Sequence, residues 1–162
     1  MARRDELTGV KNKTAYNELE KMVQGSIDSG EEPLPFAVVV CDANNLKSIN
    51  DSEGHVAGDE YIKGSARLLC DVFDHSPVFR VGGDEFVAFL RGSDYSNRAD
   101  LMTRLRTQVH ENLEAGAGPI LASGMAEYVH GSDSMVSEVF DRADREMYED
   151  KQGLKKKEEG GQ

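Results

Sequence analysis

The sequence contains no tryptophan, and it has only two cysteines and four prolines in 162 residues. A single domain of this length buries roughly 70% of the surface of its unfolded chain, so it needs no covalent cross-links. Cys41 and Cys70 both lie among apolar residues and are predicted to be reduced thiols in the core. Neither has a close histidine, which argues against a zinc site.

Long hydrophobic runs are also missing. No apolar stretch approaches the roughly 20 residues that a helix needs to span a bilayer. The N-terminal residues MARRDELTG contain no apolar signal segment, so nothing here directs export. The expected location is the cytoplasm, although the parent protein could be anchored in a membrane by another segment.

Basic residues are scarce relative to acidic ones. Nineteen Lys and Arg against 30 Asp and Glu give a net charge of -11. Since binding to nucleic-acid phosphates requires a basic face, a DNA- or RNA-binding surface is not expected. A nucleotide remains possible, because a metal ion and a few local lysines can offset the repulsion of its phosphates.

The pattern of apolar residues predicts an α+β fold. Gly82 and Gly83 between two strand-like runs predict a hairpin whose turn uses positive φ. A helical crossover that returns to this hairpin gives a ferredoxin-like mixed sheet of about five strands flanked by helices. The predicted elements are a helix over 14–29 with Asn12 as its cap, strand 36–41, helix 61–73, strands 78–81 and 84–90, a helix through Leu101, Leu105 and Val109, strand 120–128, and a last helix capped by Ser132 or Asp133.

Two boundaries follow from composition. Residues 1–155 are predicted to form one domain, and residues 156–162, which are charged and then glycine-rich, a disordered tail. Residues 42–58 are polar and are expected to form a loop with one short helical turn.

Acidic side chains mark two points of this fold. Asp42 ends the first buried strand, and Asp84 and Glu85 follow the glycine pair. If the hairpin lies beside the first strand, either Asp84 or Glu85 faces Asp42, and such a pair can share Mg²⁺. Neighbouring strand residues point to opposite faces, so only one of Asp84 and Glu85 is expected to face Asp42 unless the twist of the turn brings both round, and spacing alone does not choose.

The same acids have two other interpretations. They could be ordinary solvated loop residues. They could also belong to an EF-hand, since Asp42, Asn44 and Glu53 would occupy its positions 1, 3 and 12, but Lys47 stands where that loop requires glycine.

Four segments together resemble the GGDEF family. The similarity runs from Asp5 to about Lys155, and four motifs in the right order make it specific. The matching segments are Asp5–Gly9 (DELTG) with Asn12, the run DANNLKSINDSEGHVAGD from Asp42 to Asp59, the signature RVGGDEF from Arg80 to Phe86, and Ala143, Asp144, Met147, Tyr148 and Lys151.

This resemblance implies a palm-like fold of the adenylate cyclase type and a set of roles. A carboxylate and an amide would select guanine, because they complement its N1–H and exocyclic amine, which adenine does not offer together. The implied residues are Asp84 and Glu85 for catalysis; Asp42, Ala43, Asp84 and Glu85 for two Mg²⁺ or Mn²⁺ ions; Asn50 and Asp59 for guanine; and Leu46, Lys47, Gly82, Gly83, Lys151 and Lys155 for phosphate and ribose.

The implied activity is that of a diguanylate cyclase in bacterial second-messenger signalling. The 3′-hydroxyl of one GTP attacks the α-phosphate of another, and pyrophosphate leaves. Because each domain would bind one GTP, turnover requires a second copy of the domain, and an upstream sensor domain is expected in the parent protein. The alternative is an inactive GGDEF domain that binds GTP or another protein as a regulatory module.

Three positions depart from the family pattern. Asn44 stands where many members carry a second aspartate, and Lys155 replaces a frequent arginine, which keeps the charge but loses the bidentate fork. Many members have an RxxD site for product inhibition upstream of the signature. Here that stretch is Phe73-Asp74-His75-Ser76, so this form of inhibition is expected to be absent.

Overall fold

A five-stranded mixed sheet forms the centre of the molecule in a computed structural model that describes residues 2–160. The strands are β1 (Lys11–Asn12), β2 (Ala37–Ala43), β3 (Val78–Arg80), β4 (Glu85–Leu90) and β5 (Leu121–Glu127), in the order β1-β3-β4-β2-β5. The helices are α1 (Lys13–Asp28), α2 (Leu46–Glu53), α3 (His55–Val72), α4 (Gly92–Ser96), α5 (Arg98–Ala115) and α6 (Val136–Gly160).

The apolar run at the start of β2 becomes the central strand, as predicted. It pairs antiparallel with both β4 and β5, and residues Ala37 to Val40 are fully buried. A strand buried on both faces must be apolar throughout, which explains why this run does not alternate. The order β2-α3-β3-β4-α5-β5 gives the predicted ferredoxin-like core, and parallel pairing of β1 with β3 makes the sheet mixed.

Several element boundaries differ from the prediction. The segment 42–58 contains a full helix, α2, and α3 starts at His55 rather than at residue 61. The two helices meet at Gly54, whose φ of 92° breaks one and starts the other. Neither helix has a side-chain hydrogen bond at its N-cap, although Asn45, a residue type that often caps helices, precedes α2.

Other small elements arise from contacts that no local pattern encodes. β1 is two residues long and pairs with β3, and its Lys11 also forms a bridge with Arg4. The predicted Asn12 cap is confirmed, since its side chain accepts from the Ala15 amide at 3.0 Å. The short helix α4 was not predicted.

The predicted cap of the last helix, Ser132 or Asp133, was wrong. Glu138 Oε1 instead accepts from the amides of residues 134 and 135, and α6 starts at Val136.

The C-terminal segment also differs from the prediction. Residues 156–160 continue α6 instead of forming a disordered tail, while 161–162 lie outside the described residues.

The two cysteines differ in exposure. Cys41 is buried as expected, but Cys70, on α3, is exposed, and both are free thiols. Within residues 2–160, no helix combines the length and the apolar character that crossing a membrane requires.

Candidate functional site

The two acidic points meet at one end of the sheet. Antiparallel pairing of β2 with β4 places Asp42 directly opposite Glu85. The Ala43 amide donates to the Asp84 carbonyl at 2.8 Å, which ties the end of β2 to the turn before β4. The predicted meeting of the first strand with the hairpin is therefore present.

The charge of Asp42 affects the pKa of both Asp84 and Glu85. Partial burial raises the pKa of Asp84, and the adjacent Asp42, through its charge and a hydrogen bond, raises it further. Burial also raises the pKa of Glu85, with added repulsion from Asp144, Asp42 and Asp84. Glu85 is the register partner of Asp42, and the charge of Asp42 contributes to the raised pKa of both Glu85 and Asp84.

Lys151 of α6 is the basic partner of this acidic group. Its Nζ donates to Asp42 Oδ2 at 2.9 Å, and that hydrogen bond raises the pKa of Lys151. The other oxygen, Asp42 Oδ1, is buried and has no hydrogen-bond partner within residues 2–160. A buried carboxylate oxygen without a donor is suited to a cation, since leaving it unpaired is unfavourable.

The described chain holds no group of three or more His, Cys, Asp or Glu side chains arranged for a metal. Magnesium does not need one, because it is commonly held by one or two carboxylates together with substrate phosphates and water. The pair Asp42 and Asp84 meets that requirement.

An open cavity of about 620 Å³ lies beside the acid pair. It combines the Asp84 carboxylate with three lysines, a suitable setting for a triphosphate bound through a metal. Its lining residues are Ala43, Asn45, Leu46, Lys47, Ser48, Asp51, Ser52, Asp84, Lys151 and Lys155.

Three of these residues had no role in the sequence-based prediction, namely Ser48, Asp51 and Ser52, whereas the resemblance implied that the backbone around residues 44–47, including Asn45, faces the phosphates. Asn45, Ser48 and Ser52 follow helical spacing and face the cavity together along α2. That spacing becomes meaningful only once the segment is known to be helical. Asp144 next to Glu85 was also missed, although it lies in one of the matching motifs.

The residues predicted for guanine lie apart from this cavity. Asn50 is on α2, and its side chain covers Gly58 on α3, where an added Cβ would be 1.7 Å from Asn50 Oδ1. Asp59 follows Gly58 in α3 and is exposed. The two predicted guanine residues are therefore brought together at the junction of α2 and α3.

The glycine pair does not behave as predicted. Residues 81–84 separate β3 from β4, and neither Gly82 nor Gly83 has a positive φ, so this is not a two-residue hairpin turn. The turn is closed instead by a hydrogen bond from the Val81 amide to the Glu85 carbonyl, at 2.9 Å. Neither glycine lines the cavity.

Arg80 fixes the shape of this turn. Its guanidinium donates to the Gly83 carbonyl at 2.7 Å and forms an ion pair of 3.3 Å with Asp5. Burial opposes ionisation of Asp5, but hydrogen bonds from Thr8 and the charge of Arg80 lower its pKa overall. The N-terminal motif and the signature motif are thus in direct contact, a link that their separation in sequence did not indicate.

Comparison with known proteins gives one consistent family. The family model described as "Diguanylate cyclase, GGDEF domain" matches residues 2–157. A "Diguanylate cyclase" from Vibrio cholerae is 31% identical over 72% of this chain and 37% of its own length. "Cyclic di-GMP phosphodiesterase PdeR" from Escherichia coli is 28% identical over 94% of this chain and 23% of its own length. The chain thus spans about a quarter to a third of these relatives.

Solved structures agree. The GGDEF domain of DgcB from Caulobacter crescentus, in complex with c-di-GMP, superimposes with a TM-score of 0.73 at 26% identity, covering 94% of this chain and 92% of that one. The GGDEF domain of FimX from Pseudomonas aeruginosa has a TM-score of 0.78, covers 94% of this chain and 96% of that one, and at 19% identity supports the fold alone.

Proposed function

Because the chain belongs to the GGDEF family of diguanylate cyclase domains, we propose that it condenses two GTP molecules into cyclic di-GMP and releases two pyrophosphates. The observation that carries this proposal is the acid pair Asp42 and Asp84 beside a cavity lined by three lysines. Family membership alone does not distinguish an active cyclase from an inactive relative, whereas an intact acid pair is required for the chemistry.

Asp42, Asp84 and Glu85, with the Ala43 carbonyl, would hold two Mg²⁺ or Mn²⁺ ions. The partnerless Asp42 Oδ1 and the raised pKa of Asp84 and Glu85 support this, because a cation would relieve both features. When bound, such ions neutralise triphosphate charge and stabilise the attacking and leaving oxygens.

Asp84 is the proposed general base. Its carboxylate takes the proton from the 3′-hydroxyl of one GTP while that oxygen forms a bond to the α-phosphorus of the other. The bond between the α-phosphorus and the bridging oxygen breaks, and pyrophosphate leaves with the electron pair. Asp84 lines the cavity, so its carboxylate lies within reach of a nucleotide bound there. Glu85 supports it in the same acidic group.

The lysines would bind the triphosphate. Lys47 and Lys155 line the cavity, and Lys151 would turn from Asp42 towards phosphate oxygens once other positive charge compensates the acids. Leu46, at the start of α2, lines the same cavity. Gly82 and Gly83 leave the turn open to the ribose, since neither carries a Cβ.

Asn50 and Asp59 would select guanine. Asp59 can accept from both N1–H and the exocyclic amine, and a base that offers only one donor leaves a carboxylate oxygen unpaired. Their proximity across Gly58 supports a shared role.

Two copies of the domain are needed, because each would bind one GTP and the reaction joins two. An upstream sensor domain and a cytoplasmic site of action are part of the same proposal, supported by relatives much longer than this chain. The second candidate is a regulatory module that binds GTP without turnover. The neutral Asn44 and the Lys151–Asp42 ion pair, which lowers the negative charge at the acid pair, favour it.

One experiment separates the two candidates. Protein dimerised by a fused coiled coil is incubated with GTP and Mg²⁺, and products are identified by mass spectrometry. Cyclic di-GMP whose yield per domain falls when the fusion is removed supports the cyclase, and Asp84→Ala must abolish it. GTP binding by calorimetry without product establishes the regulatory module, and absence of both binding and product refutes both candidates.

A further inference from the structure

The last turns of α6 reach back to the loop that opens α2. Leu154 is 2% exposed and anchors this part of α6 on the core. One turn further on, Glu158 Oε2 accepts a hydrogen bond of 2.8 Å from Asn45 Nδ2. The second oxygen, Glu158 Oε1, is also buried and is without a partner in the described part of the chain. A half-buried carboxylate is thus kept beside Asn45 although a solvent-facing position would hydrate it better.

Asn45 has a left-handed backbone, with φ 66° and ψ 18°. Within residues 2–160 it is the one non-glycine residue with positive φ. Such a conformation is unfavourable for a residue with a Cβ and persists where surrounding contacts determine it. The Asn45 carbonyl accepts from the Ile49 amide at 2.9 Å, which is a first-turn bond of α2, so this strained residue sets where α2 begins.

Asn44, the residue before Asn45, is held by hydrogen bonds with Ile120 and Tyr61. The Asn44 amide donates to the Ile120 carbonyl at 2.8 Å, and the Tyr61 hydroxyl donates to the Asn44 carbonyl at 2.9 Å. These bonds fix Asn44 against the start of β5. The chain therefore enters α2 between a fixed point at Asn44 and the Glu158 contact at Asn45.

The start of α2 is also a wall of the cavity described above. Asn45, Leu46, Lys47 and Ser48 all line it. A change in the direction of the chain at Asn45 would move these groups together relative to Asp84 and the lysines of α6. The position of this wall decides whether donors on α2 reach the same phosphates as Lys151 and Lys155.

We propose that Glu158 is a positioning residue for substrate: by holding Asn45 in its left-handed conformation, it places the start of α2 against the nucleotide triphosphate. This inference rests on the proposed function, because it assumes that the cavity binds a triphosphate. It assigns the terminal turns of α6 a role in nucleotide affinity rather than in proton transfer or metal binding.

The test uses three variants of one helix. Glu158→Ala removes the acceptor for Asn45, Glu158→Gln keeps an acceptor oxygen and removes the charge, and Glu159→Ala removes a neighbouring exposed carboxylate. Since one net hydrogen bond is lost, Glu158→Ala should raise the KM for GTP about threefold to tenfold while kcat changes less than about twofold. Glu158→Gln and Glu159→Ala should stay near the wild type.

A second measurement requires no nucleotide. Hydrogen exchange of the free protein, read on peptides that cover residues 44–50, should become faster in Glu158→Ala at the Ile49 amide. The same peptides should exchange at wild-type rates in Glu158→Gln and Glu159→Ala. Peptides from β2 and β4 should be unchanged in all three variants, which shows that the core is intact.

The outcomes separate this inference from the function on which it rests. Unchanged exchange at residues 44–50 in Glu158→Ala overturns the inference, whether or not the protein makes cyclic di-GMP. Faster exchange with an unchanged KM overturns it too, since α2 would then have no part in affinity. Wild-type protein that binds no GTP in the presence of Mg²⁺ refutes the proposed function and, with it, the role in substrate positioning.

Discussion

Gly58 is the residue on which the placement of Asn50 depends. The Asn50 side chain lies where a Cβ on Gly58 would be, so Gly58→Ala must displace it. The displaced atoms are the end of a flexible side chain, so the fold should survive. If Asn50 binds guanine, losing that hydrogen bond should raise the KM for GTP about threefold to tenfold.

Gly64→Ala is the matched control for this change. It lies in the same helix, α3, and its added Cβ meets the Pro119 ring at 3.4 Å, a contact that a small shift accommodates. Steady-state kinetics of both variants, with circular dichroism to confirm folding, make the comparison. An unchanged KM in Gly58→Ala would count against a guanine-binding role for Asn50.

Asp133 supplies a pH-dependent contribution to stability. Its hydrogen bonds from Arg142, of 2.7 and 2.9 Å, lower its pKa below the ordinary value of 3.8, although burial acts in the opposite direction. Because the folded pKa is depressed, this contribution is complete above pH 3.8 and is lost as pH falls through the folded pKa. The side chain is almost buried, whereas that of Arg142 is 40% exposed, which weakens the pair through solvent screening.

Replacing Asp133 by Asn should lower the free energy of unfolding by about 1.5 kcal/mol at neutral pH, the low end of the range for a hydrogen bond to a charged group, because Arg142 is solvent-screened. The difference between variant and wild type should shrink well below pH 3.8. Urea unfolding curves at both pH values measure it. A difference that stays constant with pH would show that charge is not the cause.

At the scale of elements, β5 and α6 pack through a glycine. A Cβ on Gly124 would lie 2.2 Å from the Ala143 carbonyl oxygen and 2.3 Å from the Met147 amide nitrogen, both backbone atoms of α6. Backbone cannot move aside as a side-chain end can. Gly124→Ala should therefore lower the free energy of unfolding by about 3 kcal/mol, at the upper end of overpacking effects.

Gly25→Ala in α1 is the contrasting variant, because no atom lies within 4 Å of the added Cβ and its φ is not positive. It should stabilise the protein by up to about 1 kcal/mol through helix propensity and a less flexible unfolded chain. Denaturant titration of both proteins checks the pair. Equal effects of the two substitutions would mean that β5 and α6 are not in close contact.

The helices and strands differ in how far they could be predicted. The first buried strand, the β3–β4 pair and the long helices follow from runs and periodicity of apolar residues, which act locally. α2 could not be found in this way, since none of its residues is buried and it has no side-chain cap. It is held by Asn44, Asn45 and their distant partners, and the cavity-facing Ser48 and Ser52 were missed for the same reason.

At the scale of the whole molecule, the stretch that corresponds to the RxxD site, residues 73–76, starts with a core residue. Phe73, at the position of the RxxD arginine, is fully buried, and the Ser76 hydroxyl donates to Asp94 at 2.6 Å. Neither can bind an anionic dinucleotide at the surface as an arginine would. Added cyclic di-GMP at low micromolar concentration should therefore leave the initial velocity of cyclic di-GMP synthesis unchanged.

Rates of pyrophosphate release, measured with and without added product, check this expectation. A Phe73→Arg, Ser76→Asp double variant would restore the motif residues but replace a buried aromatic ring with a charge, so it is a poor control. The better control is a related domain with an intact RxxD motif assayed alongside. Strong inhibition of the present chain would show that another surface binds the product.

The sequence by itself determined the family, the ferredoxin-like core and the acids at the end of β2 and before β4, because strand burial and motif spacing are local properties of the chain. Only the tertiary structure decided that both Asp84 and Glu85 lie in the field of Asp42, that Lys151 pairs with Asp42, and that α6 continues to Glu158 and holds Asn45. Those facts depend on distances between residues as many as 113 positions apart, which packing sets and which no local pattern contains.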